Sequence, residues 1–111
     1  IMKLVTVYIR QEQLPAIKES LAEAEIFHFT VIPILGTAPR AEQRMFRGVE
    51  QKISLFRRMR MELYVKNADI ERTIEAISKG AMNSGGAGRI FIVDVSDAVK
   101  IWTGERGDKA I

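Results

Sequence analysis

Twice along this chain, a run rich in β-branched and aromatic residues is followed by apolar residues at helical spacing and then by another such run. Residues 3–9 and 27–35 flank the first stripe, and residues 59–66 and 90–95 flank the second. Leu14, Ile17 and Leu21 share one face of a helix expected over 11–25, with Ala24 extending the stripe. Ile70, Thr73, Ile74 and Ile77 do the same in the second helix. Pro15 is tolerated in a first turn, where its missing N–H costs no helical bond. Pro33 assigns the second strand to an edge or a bulge. Asn67 or Asp69 is the expected cap of the second helix, and Gly80 its expected terminator. Two βαβ units in tandem predict an α+β fold, a ferredoxin-like βαββαβ sandwich with both helices on one sheet face.

At 111 residues the chain has the size of one domain spanning 1–111. It contains no cysteine, and the lone His28, expected as a packed or edge-strand residue, cannot build a histidine cluster. No nucleophile stands in a pattern with a histidine base, and the carboxylates are scattered, so an enzyme is not expected. No apolar stretch reaches membrane-spanning length, and the start lacks a secretory pattern, which makes a cytoplasmic location the expectation.

Along the first strand, Val5, Val7 and Ile9 alternate with Leu4, Thr6 and Tyr8, and both sets are substantially apolar. A sheet with helices on one face and apolar side chains on the other needs a further cover, so an oligomer is expected. Between the two halves, a loop at about 36–55 lacks sustained apolar periodicity. Residues 36–60 carry Arg40, Arg44, Arg47, Lys52, Arg57, Arg58 and Arg60 against only Glu42 and Glu50. Such a segment suits phosphate, nucleic acid or an acidic protein surface.

At residues 83–95, NSGGAGRIFIVDV, a glycine-dense turn passes through Arg89 into a strand. Closely approaching glycine backbone can offer N–H groups to phosphate, and a guanidinium at the strand start adds a charge-assisted contact. The glycines follow a helix and precede a strand, the reverse of the dinucleotide-binding order, and no GxxxxGK[ST] occurs. A flexible helix-to-strand connector remains the alternative reading of the same residues.

Taken together, Gly36 opening the long loop, FRGVE at 46–50, GGAGRIFIVDV at 85–95 and IWTGERGDKAI at the end resemble the PII signal-transduction family. The resemblance covers essentially the whole chain. It implies a homotrimer that binds adenine nucleotides (ATP, ADP or AMP) between subunits and regulates a membrane transporter or metabolic enzyme in nitrogen or inorganic-ion metabolism. It places Gly36, Gly86, Ala87, Gly88 and Arg89 in the phosphate-binding part, and Thr30, Glu62 and Tyr64 around the adenine. Lys100, in a C-terminal segment at about 100–111, would reach the phosphates from a neighbouring subunit, and Trp102 in the same segment would stack on the ligand or cover an intersubunit surface. Arg40, Arg44, Arg47 and Lys52 would carry the partner-binding loop.

Several positions depart from the family pattern. Trp102 stands where typical members carry a second C-terminal arginine, which favours ADP or AMP over ATP. Ala87 replaces a polar connector residue. Gln51 occupies the place of the modifiable loop tyrosine, so nucleotidylation is not expected. Pro39 or Arg40 replaces the magnesium-assisting glutamine, and Arg58 the downstream lysine, which argues against sensing of Mg and 2-oxoglutarate. Two alternatives accompany this reading: a trimeric protein-binding regulator with weakened nucleotide affinity, and a sensor of another small molecule such as bicarbonate. Nucleic-acid binding is disfavoured, because the sheet shows no paired-aromatic RNA-reading motif.

Overall fold

A computed structural model of the chain describes residues 2–37 and 54–111. The expected interaction residues Arg40, Arg44, Arg47 and Lys52, with Pro39 and Gln51, lie outside the described residues.

Strands β1 (Met2–Ile9), β2 (Thr30–Gly36), β3 (Phe56–Lys66) and β4 (Arg89–Val95) form one antiparallel sheet in the order β2-β3-β1-β4. Helices α1 (Leu14–Glu23) and α2 (Ile70–Met82) supply the two crossovers of the ferredoxin-like βαββαβ sandwich. The core lies between this helix layer and the sheet, where Val5, Val7, Ile17, Leu21, Met61, Leu63 and Ile77 are almost wholly buried. Their placement follows the two periodicities: alternate residues of β1 and β3 meet residues spaced by four on the helices.

Several local expectations give way to tertiary contacts. β2 begins at Thr30, later than expected, and His28 is an exposed residue of the loop before it. Pro33 does lie on an edge strand. β3 begins at Phe56, earlier than expected, which brings Arg58 into the sheet. Neither Asn67 nor Asp69 caps α2 through its side chain; residues Asn67–Asp69 form a 3-10 turn, and Asp69 accepts at its backbone carbonyl from Thr73 Oγ1 at 2.8 Å. Gly80 does not end α2, which continues to Met82. A Cβ at Gly80 would lie 2.5 Å from Ile17 Cα and 2.8 Å from the Ala16 carbonyl oxygen, so glycine is what lets the helices meet. Beside this crossing, buried Ser20 Oγ donates to the Ala76 carbonyl at 2.6 Å.

Helix α1 ends in a Schellman arrangement, with Ile26 N–H donating to Leu21 C=O at 2.8 Å and Glu25 N–H to Ala22 C=O at 2.9 Å. The residue in the left-handed conformation, at φ 60°, is Glu25, where glycine is the usual occupant. A left-handed L-residue costs roughly 1–2 kcal/mol, partly offset by the entropy a glycine loses on folding. Glu25→Gly is therefore expected to stabilise the fold by about 0.5–1 kcal/mol. The check is a urea midpoint that rises at unchanged slope; a lowered midpoint would refute the strain argument.

Candidate functional site

Strand register sorts the expected adenine and phosphate residues onto one surface. Thr30 pairs with Glu62, Glu62 with Thr6, and Thr6 with Phe91, forming one row across all four strands. The adjacent row runs Ile32, Arg60, Tyr8, Arg89, and Tyr64 pairs with Leu4. Because strand side chains alternate between faces, Thr30, Glu62, Tyr64 and Arg89 all belong to the face without helices. Tyr8 and Phe91 meet there edge to face, with ring centroids 5.7 Å apart. Arg60 Nε lies 3.4 Å from Glu62 Oε2 as an ion pair, yet this buried nitrogen makes no hydrogen bond.

On this face a cleft of about 790 Å³ opens, lined by residues from β1, the end of β2, the start of β3, the α2–β4 connector and β4. Gly36, Ala87, Gly88 and Arg89 come together in it, joined by Arg10, Thr37, Arg58 and Tyr8. Among the described residues three arginines and no carboxylate line the cleft, a lining whose potential favours anions. Arg89 is exposed and makes no ion pair or hydrogen bond through its side chain with any described residue.

The connector reaches this position through its glycines. The Gly86 N–H donates to the Ala81 carbonyl at 2.7 Å, turning the chain off the helix, and Gly85 and Gly86 both have positive φ. Gly88, at φ 125°, approaches β1 closely: an added Cβ would lie 2.9 Å from the Tyr8 carbonyl oxygen and 3.1 Å from Ile9 Cγ2. The backbone of Ala87 is held from below by Gln13, whose Nε2 donates to the Ala87 carbonyl at 2.7 Å.

Other expected residues stand apart. Thr30, Glu62 and Tyr64 share the sheet face but do not line the cleft, and neither does Gly86. Lys100 and Trp102 belong to a C-terminal hairpin closed by the Val99–Arg106 bridge. Lys100 Nζ lies 3.5 Å from Glu105 Oε1 and 5.6 Å from the centre of the Trp102 ring, while Trp102 itself is 81% exposed. Across the hairpin base, Arg106 donates to Asp97 and holds that carboxyl below its usual pKa.

Sequence reasoning missed Gln13, and overlooked Arg10 and Tyr8 as lining residues. A signal for Gln13 was present: it precedes Ile17 and Leu21 at successive spacings of four, on the most buried helical stripe, where a polar residue needs partners. Among the described residues no group of side chains suited to a metal ion occurs, and no helix is long and apolar enough to cross a membrane.

A family model described as nitrogen regulatory protein P-II matches residues 2–105. Nitrogen regulatory protein P-II 1 of Methanothermobacter thermautotrophicus is 38% identical over 99% of this chain and 97% of its own length. Nitrogen regulatory protein GlnK1 of Methanosarcina mazei is 34% identical, with the same coverage. Among solved structures, Arabidopsis thaliana PII bound to citrate superposes with a TM-score of 0.76 at 28% identity, covering 99% of this chain and 92% of that one.

Proposed function

Since the chain belongs to the nitrogen regulatory protein P-II family and is thus a non-catalytic signal-transduction protein, we propose that it senses adenine nucleotides. In this reading it acts as a cytoplasmic homotrimer and regulates a transporter or metabolic enzyme. The observation that carries the nucleotide reading is the cleft itself. Gly36, Ala87, Gly88 and Arg89 converge there with Arg10 and Arg58, without a carboxylate among the described lining residues. Its volume suits a ligand of nucleotide size. Guanidinium groups neutralise phosphate charge, and glycine backbone lets the ligand come close without side-chain bulk.

Two observations support assembly as part of the function. On the helix-free face, Tyr64, Phe91 and Val93 are each about half exposed, a surface that favours cover by another copy. Lys100 and Trp102 lie outside the cleft of their own chain, so a neighbouring subunit is the means of bringing them to a bound nucleotide. Thr30, Glu62 and Tyr64 then form the adenine end, farther along the same face. The long loop at about 36–55, with Arg40, Arg44, Arg47 and Lys52, is the proposed partner-binding element, and a nucleotide alters the partner only if it favours one loop state.

Calorimetric titration of nucleotide-stripped protein with ATP, ADP and AMP, repeated with Mg and 2-oxoglutarate, tests this function. Saturation near one nucleotide per subunit is expected, with ADP or AMP at least matching ATP because Trp102 supplies no phosphate charge. Absence of binding by all three would overturn the reading. The second reading, a protein-binding trimer with weakened nucleotide affinity, is favoured by the engagement of Lys100 with Glu105 and Trp102. Arg89→Glu separates the two: ligand-dependent partner binding is expected to collapse if the cleft holds phosphate, and to persist if the protein docks without nucleotide.

A further inference from the structure

Gln13 is completely buried, and both ends of its side-chain amide are used. Its Oε1 accepts from the Arg10 backbone N–H at 2.8 Å, and its Nε2 donates to the Ala87 carbonyl at 2.7 Å. One side chain thus ties together two walls of the cleft, the β1–α1 corner that carries Arg10 and the connector that carries Gly88 and Arg89. The bond to Ala87 has a directional consequence. The described peptide bonds are all trans, so the Ala87 carbonyl and the Gly88 N–H of one peptide plane point in opposite directions. Holding the carbonyl toward Gln13 turns the Gly88 N–H away from it.

We propose that Gln13 is the positioning residue of the anion cradle, fixing the Ala87–Gly88 peptide so that its N–H and the following Arg89 are set for a phosphate group. The inference rests on the nucleotide reading above. Gln13 does not touch the ligand; it removes the connector's freedom to rotate this peptide, so that the ordering cost is met during folding instead of during binding. The neighbouring glycines make such a restraint necessary, because Gly86 and Gly88 have no side chains to limit their own backbone. A donor at Gln13 Nε2 is the specific requirement, since the Ala87 carbonyl accepts and cannot donate.

Gln13→Met removes both bonds at similar volume, while Gln13→Glu keeps the acceptor for Arg10 N–H and loses the donor to Ala87 once its carboxyl is ionised, so this variant is measured at a pH high enough to ionise a buried carboxyl. In the full-length protein both variants are expected to bind ADP about tenfold or more weakly, with adenosine affinity changed less than about twofold. Amide exchange of residues 86–89 is expected to accelerate, while far-UV circular dichroism stays native. Unchanged ADP binding in folded variants overturns the proposal. So does equal loss of ADP and adenosine, which would mark a general structural role, or loss in Gln13→Met alone, which would assign the effect to Arg10. If the wild-type protein binds neither ligand, the nucleotide reading fails separately; inorganic tripolyphosphate and the exchange data then decide. Weaker tripolyphosphate binding with faster connector exchange supports positioning by Gln13, and unchanged values for both variants overturn it.

Discussion

Gly80→Ala is expected to destabilise the protein by about 2 kcal/mol or more, although alanine is the better helix former by about 1 kcal/mol. The added methyl would stand 2.5 Å from Ile17 Cα, 2.8 Å from the Ala16 carbonyl oxygen and 2.9 Å from Ile17 N. All three are backbone atoms, so no rotamer change relieves the clash, and α1 and α2 must separate. Separation would also stretch the bond from Ser20 to the Ala76 carbonyl and loosen Ile17, Leu21 and Ile77. Steric overpacking of roughly 3 kcal/mol therefore exceeds the helix-propensity gain. Chemical unfolding of the variant beside wild type measures the difference; equal or greater stability for Gly80→Ala would mean that the helices do not need this close approach.

A comparable loss, in binding this time, is expected from Gly88→Ala. At φ 125° an L-residue is strained, and its Cβ would press on the Tyr8 carbonyl oxygen at 2.9 Å. The connector must lift from β1, which displaces Gly88 and Arg89 relative to the other residues that line the cleft. With strain and misplacement of about 1–3 kcal/mol, nucleotide affinity should fall about 10- to 100-fold while the fold persists. Gly85→Ala is the informative companion, because a Cβ there meets nothing within 4 Å and only the backbone conformation is taxed. Calorimetry on both variants is expected to show the larger loss at Gly88. Equal binding by Gly88→Ala and wild type would remove the connector from the ligand site.

How much of this was readable beforehand depends on the range of the interaction involved. The strands and helices were legible because Val5, Val7 and Ile9, or Ile70, Ile74 and Ile77, announce their element by spacing alone. Arg89 and its glycines were legible as an anion-binding candidate because turn chemistry and charge are adjacent in the chain. Gly80 was misread: a glycine near a helix end has a local meaning as terminator, and only the position of Ile17 gives it the other one. His28 was misread for a similar reason, since an apolar run around it does not say where β2 begins pairing with β3.

The order of elements, the βαββαβ pattern and the glycine connector into β4 were specified by the sequence, since each is written in residues close along the chain. Only the tertiary structure decided that Gly36 and Gly88 line one cleft with Arg10 and Arg58, that Lys100 and Trp102 stand outside it, and that Gln13 reaches Ala87 across 74 residues. Periodicity encodes which face of an element is apolar; it carries no record of which distant backbone atom that face will meet when the core closes.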